Sequence, residues 1–561
     1  MKNKYIVALL AALAVPAALP AQVTVPAAAE KAAAAIDAQS LRGPVRFLAD
    51  DLLEGRGPAT RGDRLTELYL GTTLEYLGFE PAFGKGGYVQ PFDVVSVTAD
   101  VPKTWDFRKG DQSLSLKYWD QFIASSGVQA AKAAINNAEV VFVGYGIEAP
   151  EHKWDDFKGA NLKGKVLLML NNDPDWDPQL FEGNRRLYYG RWTYKYESAA
   201  RQGAAGAIII HTTPSAGYPF QVVQSSWTGP QFELPAEDEP LLQVRSWVTE
   251  DAARLLVKLA GQDLDALVKS AKSRDFKPVP LGVTTSLALS NKVEKVKTAN
   301  VGGLLRGSDP QLEDEVVIYS AHHDHLGVGE PKDGDNIYNG AVDNATGVAQ
   351  VVAIARAFAA LPQPPRRSVL FLFVAGEEQG LLGSEYFARH PTFPAGKIAA
   401  NINYDGGNIF GRGLDLAYIG LGKSSLDGVV KALAAKQDRT VVGDQFPDRG
   451  FFYRSDQFNF AKIGVPAIYL DAGTRFRGRP EEWGKRKAEE YEEKDYHQPS
   501  DELRPDWNFD GMIEDARLGF YAGVVVANDD QMPTWNPGDE FEAARKAAIA
   551  EAAKGDRTGR K

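Results

Sequence analysis

Hydrophobic and polar positions divide the chain into stretches with different periods. Residues 29–80 place apolar side chains about every 3.6 positions, as in RLTELYLGTTLEYLGF, and this spacing predicts amphipathic helices. Residues from about 95 to 135 are rich in turn formers, so an irregular segment is expected there. From about residue 136 the pattern changes to short, continuous apolar runs, which are typical of buried strands.

Strand-like and helical patterns alternate along most of the remaining chain. Apolar runs of strand length occupy residues 138–147, 164–172, 206–212, 315–321, 368–376, 398–405 and 465–473. Helical patterns lie between them, and residues 344–361 give the clearest of these. The alternation predicts an α/β fold in which a mostly parallel central sheet is flanked by helices on both faces.

The first residues have the three-part build of a secretory signal peptide. Lys2 and Lys4 precede an apolar run, small residues follow, and cleavage is expected after Ala21, which makes residues 1–21 the signal. The apolar run has about half of the ~20 residues that a membrane-spanning helix needs, so a signal peptide is favoured over an anchor. We therefore expect an exported protein, periplasmic or secreted, with no stable membrane insertion after cleavage.

Composition and charge narrow the classes of function. The 561 residues include 63 Lys and Arg against 74 Asp and Glu, which gives a formal net charge of −11 at pH 7. This acidic balance argues against nucleic acid as a partner, because nucleic-acid binding needs a basic face. The chain has no Cys, which excludes disulfides, thiolate metal sites and thiol nucleophiles. A strong metal site would therefore depend mainly on Asp, Glu and the seven His.

Three of the seven His lie together at the end of one predicted strand. His322, His323 and His325 directly follow the run at 315–321, and ligands of open α/β sheets bind beyond the carboxyl ends of strands. In an extended chain His322 and Asp324 point the same way, so Asp324 can accept from one ring nitrogen and leave the other for a metal. For this cluster alone, a surface loop with chance histidines is the alternative.

Carboxylates at the ends of other predicted strands weaken that alternative. Glu377 and Glu378 end one buried run, and two adjacent carboxylates in such a place need a compensating cation. Asp405 ends another run, Asp343 begins a helical segment, and His497 lies in a polar loop. Nitrogen and oxygen ligands of these types suit zinc, and hydrolytic sites with two metals share a bridging carboxylate.

Five motifs together carry a resemblance to a known family. In the order AHHDH, AVDNATG, AGEEQGLLGS, NYD and YHQPSD, they resemble the dinuclear-zinc aminopeptidases of peptidase family M28, which also holds enzymes of the glutamate carboxypeptidase type. The resemblance covers about residues 300–505 and implies a zinc-exopeptidase sandwich, with its N-terminal part at 29–135 and its catalytic part at 299–535. Residues 136–290 resemble an inserted, β-rich protease-associated (PA) domain.

The last residues, 536–561, combine Ala with charged residues, and a helical or disordered tail is expected there. The sequence does not indicate an oligomeric state. Peptides are the partners that the resemblance implies.

Carried over residue by residue, the resemblance implies a site for two Zn²⁺ per chain. Asp343 would bridge the two ions. His322 and Asp405 would complete the ligands of one ion, and Glu378 and His497 those of the other.

The same resemblance implies the catalytic residues. Glu377 would act first as general base and then as general acid, and Asp324 would orient His322. Tyr496 stands where some members of the family place a phenol that steadies the oxyanion. The resemblance further implies a cis peptide bond after Asp343, and His325 is assigned a structural role.

Several functions stay open on the sequence alone. The favoured one is an exported zinc aminopeptidase that hydrolyses N-terminal residues from peptides. A carboxypeptidase or dipeptidase on the same metal core needs a basic pocket, for which Arg475, Arg477 and Arg479 are candidates, with a solvated loop as the alternative reading of that run. A non-catalytic binding homologue would lack metal ligands, and none is missing. Single-zinc relatives of the glutaminyl cyclase type are disfavoured because the full two-metal set is present.

Overall fold

The computed structural model describes residues 23–558 of the chain. The predicted signal peptide at 1–21 and the last three residues of the predicted tail lie outside this range. Within it, none of the helices combines the length and the apolar character that crossing a bilayer requires.

The helices and strands of the described residues are numbered in chain order. The α-helices are α1 (Ala27–Ala32), α2 (Ala38–Leu48), α3 (Arg61–Tyr76), α4 (Trp192–Arg201), α5 (Thr213–Ala216), α6 (Phe220–Ser226), α7 (Glu250–Leu259), α8 (Leu264–Ala271), α9 (Gly347–Ala359), α10 (Leu382–Arg389), α11 (Leu426–Lys436), α12 (Gln457–Lys462), α13 (Trp483–Lys494), α14 (Asp510–Asn528) and α15 (Glu542–Thr558). The strands are β1 (Glu80–Pro81), β2 (Val89–Asp100), β3 (Thr104–Lys109), β4 (Gln112–Lys117), β5 (Phe122–Ser126), β6 (Lys132–Phe142), β7 (Glu148–Ala149), β8 (Trp154–Asp155), β9 (Val166–Leu170), β10 (Gly206–His211), β11 (Pro230–Glu233), β12 (Val244–Thr249), β13 (Val279–Leu305), β14 (Val316–His322), β15 (Gly327–Lys332), β16 (Asp335–Tyr338), β17 (Ser368–Val374), β18 (Ile398–Asn403), β19 (Asp415–Ile419), β20 (Thr440–Val442) and β21 (Ala467–Ala472).

Parallel strands form the centre of the main sheet. β14 lies between β17 and β18, and β18 pairs with β21, all in parallel. β13 and β19 extend the two sides in antiparallel pairing with β17 and β21. Every residue of β14, β17 and β18 is buried, because α9 and α14 cover one face and α10 and α12 the other. The predicted α/β fold with a mostly parallel, helix-flanked sheet is confirmed.

The parallel register brings the candidate residues to one edge of this sheet. His322 pairs with Val374, so the loop that carries Glu377 and Glu378 leaves β17 beside the end of β14. Asn403, the last residue of β18, pairs with Ser320 of β14, and Asp405 follows β18 by two residues. The carboxyl ends of the three strands therefore meet, as expected for ligand sites in open α/β sheets.

A second lobe, which we call the inserted lobe, contains β3 to β12 and α4 to α8. Its centre is a parallel set in which β6, β9, β10 and β12 pair in that order, with β5 antiparallel to β12. β13 joins the two lobes, because its first half pairs with β6 and β3 and its last residues pair with β17.

The expectation of an irregular segment from about residue 95 to 135 is wrong. The range contains all of β3, β4 and β5, together with the end of β2 and the start of β6. β3 and β4 form a hairpin whose sequences, TWDFRK and QSLSLK, alternate outward polar with inward apolar residues. A period of two over only six residues gives a weak signal between turn formers. β3 pairs with β13 and β5 pairs with β12, so this segment packs with the inserted lobe.

The terminal helices follow the sequence pattern. α1 to α3 lie within the helical region expected at 29–80, and α2 packs on α9. α15 lies in the stretch expected as a helical or disordered tail. Its residue Arg545 is buried and donates to the carbonyl oxygens of Pro533 and Ile398 at 3.0 and 2.8 Å.

Arg56 ties the N-terminal helices to the site edge of the sheet. Its guanidinium is 1% exposed and donates to four main-chain carbonyl oxygens. These belong to Leu48 (2.5 Å), Asn339 (2.6 Å), His323 (2.9 Å) and Gly340 (3.0 Å). One planar side chain therefore fixes three separate segments around the histidine cluster.

A substitution of Arg56 tests how much its guanidinium contributes to stability. We expect Arg56→Lys to lower the free energy of unfolding by about 2–4 kcal/mol, because a single ammonium leaves buried carbonyl oxygens unpaired. The exposed Arg46 on α2 provides the control, and Arg46→Lys should leave the value within about 0.5 kcal/mol. Urea unfolding followed by tryptophan fluorescence measures both, and equal midpoints for the two variants would contradict the assignment.

Candidate metal centre

His322 ends β14 with one ring nitrogen turned toward carboxylates. Its Nε2 lies 3.2 Å from Oδ1 of Asp343 and 3.2 Å from Oδ1 of Asp405. Its Nδ1 faces the other way, 3.2 Å from the main-chain oxygen of Asp324 and 3.7 Å from the Asp324 carboxylate. The side chain is 1% exposed, so the two carboxylates define the environment of Nε2.

His497 repeats this arrangement from the opposite side. Its Nε2 lies 3.0 Å from Oε2 of Glu378 and 3.2 Å from Oδ2 of Asp343, yet it makes no hydrogen bond. Asp343 therefore presents one carboxylate oxygen to each imidazole. This is the position that the resemblance implies for a bridging ligand.

The loop that presents Asp343 is held by its own set of hydrogen bonds. The Asp501 carboxylate accepts from the main-chain nitrogens of Val342 and Asp343 at 3.0 and 3.1 Å. The side-chain amide of Asn344 donates to the carbonyl oxygen of Tyr404 at 2.9 Å. The Asp343–Asn344 peptide bond is cis, as the resemblance implied.

The two adjacent glutamates have different environments. Asp324 accepts from the main-chain nitrogens of Glu377 and Glu378 at 3.1 and 3.4 Å, which fixes the loop that carries them. Burial raises the pKa of Glu377 well above its usual value, and the charges of Asp405 and Glu378 raise it further. For Glu378, burial acts in the same direction but the imidazoles of His497 and His325 outweigh it and lower the pKa. Neighbouring carboxyls whose pKa values are driven apart are typical of an acid/base residue beside a ligand.

These residues fit a metal ion. One ligand atom each from His322, Asp343 and Glu378 lie within 4.8 Å of one another. The unpartnered Nε2 of His497 among carboxylate oxygens is what a bound cation would satisfy. The donor set of imidazole nitrogen and carboxylate oxygen is the one that zinc prefers when no thiolate is present.

The structure also shows neighbours that sequence reasoning missed. His325, assigned a structural role, has its Nδ1 2.5 Å from Oε1 of Glu378, so it contacts a candidate ligand directly. His323 lies 3.1 Å from the carboxylate of Asp63 on α3. Ser226 of the inserted lobe lies 2.7 Å from Nδ1 of His497. Asp63 and Ser226 are more than 250 residues from their partners, so no local spacing signals them.

The run Arg475, Arg477 and Arg479, considered as a basic pocket for the carboxypeptidase alternative, makes contacts elsewhere. Arg475 binds Asp415 (3.1 Å), Arg477 donates to the carbonyl oxygen of Gln437 (3.0 Å), and Arg479 stacks on Trp483 (4.7 Å). Their side chains are absent from the walls of the cleft at the metal centre.

That cleft has two arms, which share Glu377, Arg454 and Tyr496 where they meet. The acidic arm is lined by carboxylates and apolar rings, namely Asp405, Glu492, Phe446, Phe451 and Phe476. The arginine arm runs between the lobes and is lined by Tyr188, Arg191, Tyr218, Arg454 and Tyr496.

The arginine arm contains guanidinium groups with free donors. Nε of Arg191 and Nη1 of Arg454 are buried without a hydrogen-bond partner. Nη2 of Arg454 lies 2.9 Å from the phenol oxygen of Tyr496, and the guanidinium stacks over the ring of Tyr218 at 5.4 Å. Burial raises the pKa of Tyr496 well above its usual value, so the phenol keeps its proton and can donate it to a ligand. Arg191 belongs to the inserted lobe, so both lobes build this arm.

An α/β sheet with imidazoles and carboxylates gathered at its strand ends is typical of a metal-dependent hydrolase. The sequence profile of peptidase family M28 matches residues 300–520, which contain all five candidate ligands, so this part of the chain is similar to that family.

Two curated relatives and one solved structure are also similar to the chain. The chain is 30% identical to the aminopeptidase NAALADL1 of Rattus norvegicus over 286 residues, 42% of this chain and 34% of the relative. A probable zinc metalloprotease of Pyrenophora tritici-repentis is 28% identical over 183 residues, 32% of this chain and 38% of the relative. The chain thus covers about a third of the length of these two curated relatives. The fold is similar to that of the aminopeptidase from Aneurinibacillus sp. strain AM-1, with a TM-score of 0.51 at 17% identity over 91% of this chain and 97% of that one.

Asp501 offers a test of how the candidate bridging loop is held. We expect Asp501→Ala to lower the free energy of unfolding by about 2–3 kcal/mol, because two backbone N–H groups lose their acceptor. Zinc affinity should also fall by about tenfold, since Asp343 loses its support. The exposed Asp506 is the matched control. Chemical unfolding and zinc-buffered dialysis measure the two effects, and a variant with unchanged zinc affinity would contradict the role of Asp501.

Proposed function

We propose that the chain is an exported, dinuclear-zinc exopeptidase, and most specifically an aminopeptidase that removes N-terminal residues from peptides. The observation that carries the proposal is the position of Asp343, with one oxygen toward each of two imidazoles and with Glu377 beside them. A single carboxylate shared in this way is typical of two-metal hydrolytic sites.

In this proposal the five candidate ligands divide between two Zn²⁺. His322 and Asp405 would hold one ion, Glu378 and His497 would hold the other, and Asp343, which faces both imidazoles, would contribute to both. Bound zinc supplies Lewis acidity, which polarises the scissile carbonyl and brings the pKa of water toward neutrality.

The chain's own side chains then move protons and hold charge. Glu377, whose pKa burial raises, takes a proton from the attacking water and passes it to the departing amine. Asp324 positions both glutamates through their main-chain nitrogens and supports His322. The Tyr496 phenol, fixed by Arg454, donates a hydrogen bond to the developing oxyanion.

The acidic arm supports the choice of an aminopeptidase. Oε2 of Glu492 is buried there without a hydrogen-bond partner, while Oε1 of Glu492 lies 3.5 Å from Nη1 of Arg449. The free oxygen of Glu492 suits the ammonium group of a free N-terminus, whereas the rings of Phe446, Phe451 and Phe476 suit an apolar side chain. We therefore propose peptides with a large apolar first residue as preferred substrates.

Two further parts of the chain belong to the proposal. Residues 1–21 act as a signal peptide that directs the protein to the periplasm or the medium. The inserted lobe is a domain of the PA type. The pairing of β3 with β13 and of β5 with β12 supports a start near residue 100, before the boundary at 136 that the resemblance implies.

Removing the base tests the mechanism. Glu377→Gln should lower kcat for an N-terminal leucine anilide by about 10²–10⁴-fold, because the carboxylate that relays the proton is lost. The zinc content should be unchanged, since this residue is not among the proposed ligands. The exposed Glu502 provides the control substitution, Glu502→Gln. A Glu377→Gln variant that keeps both zinc and near wild-type turnover would refute the assignment.

The arginine arm favours a second candidate function, hydrolysis of short peptides through their C-terminal carboxylate, as in a dipeptidase or carboxypeptidase. The unpartnered Nε of Arg191 and Nη1 of Arg454 face a cleft that also contains Glu377. Buried guanidinium donors without a partner are suited to a carboxylate of the substrate. With an ammonium site in one arm and a carboxylate site in the other, the cleft would fit peptides of few residues.

Substrate pairs separate these two functions. If the arginine arm binds a carboxylate, kcat/KM for Leu-Gly should exceed that for Leu-Gly-amide, and Arg191→Leu should reduce the ratio by about tenfold or more. An unchanged ratio in the variant would exclude a carboxylate contact with Arg191. Cleavage of an N-blocked peptide with a free C-terminus, together with no action on leucine anilide, would favour the carboxypeptidase.

A further inference from the structure

Ser226 links the inserted lobe to the metal centre. It is the last residue of α6, and its Oγ lies 2.7 Å from Nδ1 of His497. Nε2 of His497 faces Glu378 and Asp343. With a metal on Nε2, the ring proton would lie on Nδ1, and the N–H group would donate a hydrogen bond to Ser226 Oγ. We propose that Ser226 is a positioning residue for His497, through which the inserted lobe sets the affinity of one of the two metal sites. The inference rests on the proposed function, since it takes His497 as a ligand.

The two candidate imidazole ligands are supported in different ways. Behind His322 stand the main-chain oxygen and the carboxylate of Asp324, which belong to the same strand end. Behind His497 stands the neutral hydroxyl of Ser226, from a lobe that lies far away in sequence. A main-chain carbonyl partner with a carboxylate charge 3.7 Å away favours a ligating imidazole more than a neutral hydroxyl does. The metal site of His497 and Glu378 is therefore expected to be the weaker of the two.

The inserted lobe holds Ser226 rigidly against the catalytic lobe. Nε2 of Gln221, one turn earlier on α6, donates to the carbonyl oxygen of Glu493 at 2.7 Å. Directly after Ser226, the indole of Trp227 packs edge-on against Trp192, with ring centroids 4.9 Å apart. Contacts on both sides of Ser226 thus fix the hydroxyl, which is what a supporting group for a metal ligand requires.

The preceding serine shows that the contact is specific to position 226. The hydroxyl of Ser225 donates to the carbonyl oxygens of Gln221 and Val222 within α6, at 3.1 and 3.2 Å. It has the same residue type, helix and lobe, but its bonds stay inside the helix. Ser225→Ala is therefore a matched control for Ser226→Ala.

Zinc binding to the full-length chain tests the inference without depending on catalysis. Wild type, Ser226→Ala, Ser225→Ala and Ser226→Thr are dialysed against buffers of graded free zinc, and bound zinc is measured by mass spectrometry. We expect two binding steps in the wild type. Ser226→Ala should weaken the weaker step by about tenfold or more and leave the tighter step unchanged. Ser225→Ala should match the wild type, and Ser226→Thr, which keeps a hydroxyl, should do so as well.

Three results would overturn the inference while leaving the proposed function intact. They are an unchanged isotherm for Ser226→Ala, an equal shift of both steps, and an equal effect of Ser225→Ala. A wild-type chain that binds fewer than two zinc ions would instead overturn the two-zinc centre, and the inference with it.

Discussion

The site depends on the close approach of several carboxylates to two imidazoles at one edge of the sheet. The parallel register of β14, β17 and β18 brings Glu377, Glu378 and Asp405 together, and the loop before α9, held by Asp501, adds Asp343. Withdrawing such charges from water costs several kcal/mol each unless opposite charge and hydrogen bonds offset it. The imidazoles supply part of that compensation, and a pair of divalent cations would supply the rest. This requirement explains why Asp324, Asp501 and Arg56 support the surrounding loops with main-chain hydrogen bonds.

The second structural constraint is the joining of the two lobes. β13 pairs with the inserted lobe along its first half and with the catalytic sheet at its end, so one continuous strand fixes both. The cleft at the metal centre then has walls from both sides, with Arg191 from one lobe and Arg454 from the other. The inserted lobe, which is far from the metal ligands in sequence, thereby contributes to the walls of the cleft and to the surroundings of His497.

Much of the fold was predictable because the signals are local. Continuous apolar runs predicted β14, β17, β18 and β21, and a period near 3.6 predicted α9. The short alternating strands β3 and β4 were missed, since their pattern extends over only six residues each. Histidines and acids at strand ends pointed to a metal centre for the same reason, because strand ends are visible in sequence.

What the sequence could not supply are contacts between distant segments. Ser226 reaches His497 across 271 residues, and His323 reaches Asp63 across 260. The arginines considered for a basic pocket lie in a dense run, whereas Arg191 and Arg454, which line the arginine arm, are 263 residues apart in sequence. Composition draws attention to clusters, but the fold decides which side chains converge.

The central claim, two zinc ions on either side of Asp343, is tested most directly by anomalous diffraction at the zinc absorption edge. The account predicts two peaks, one beside His322 and Asp405 and one beside Glu378 and His497. The absence of a peak at these ligands in an active, zinc-supplied crystal would contradict it.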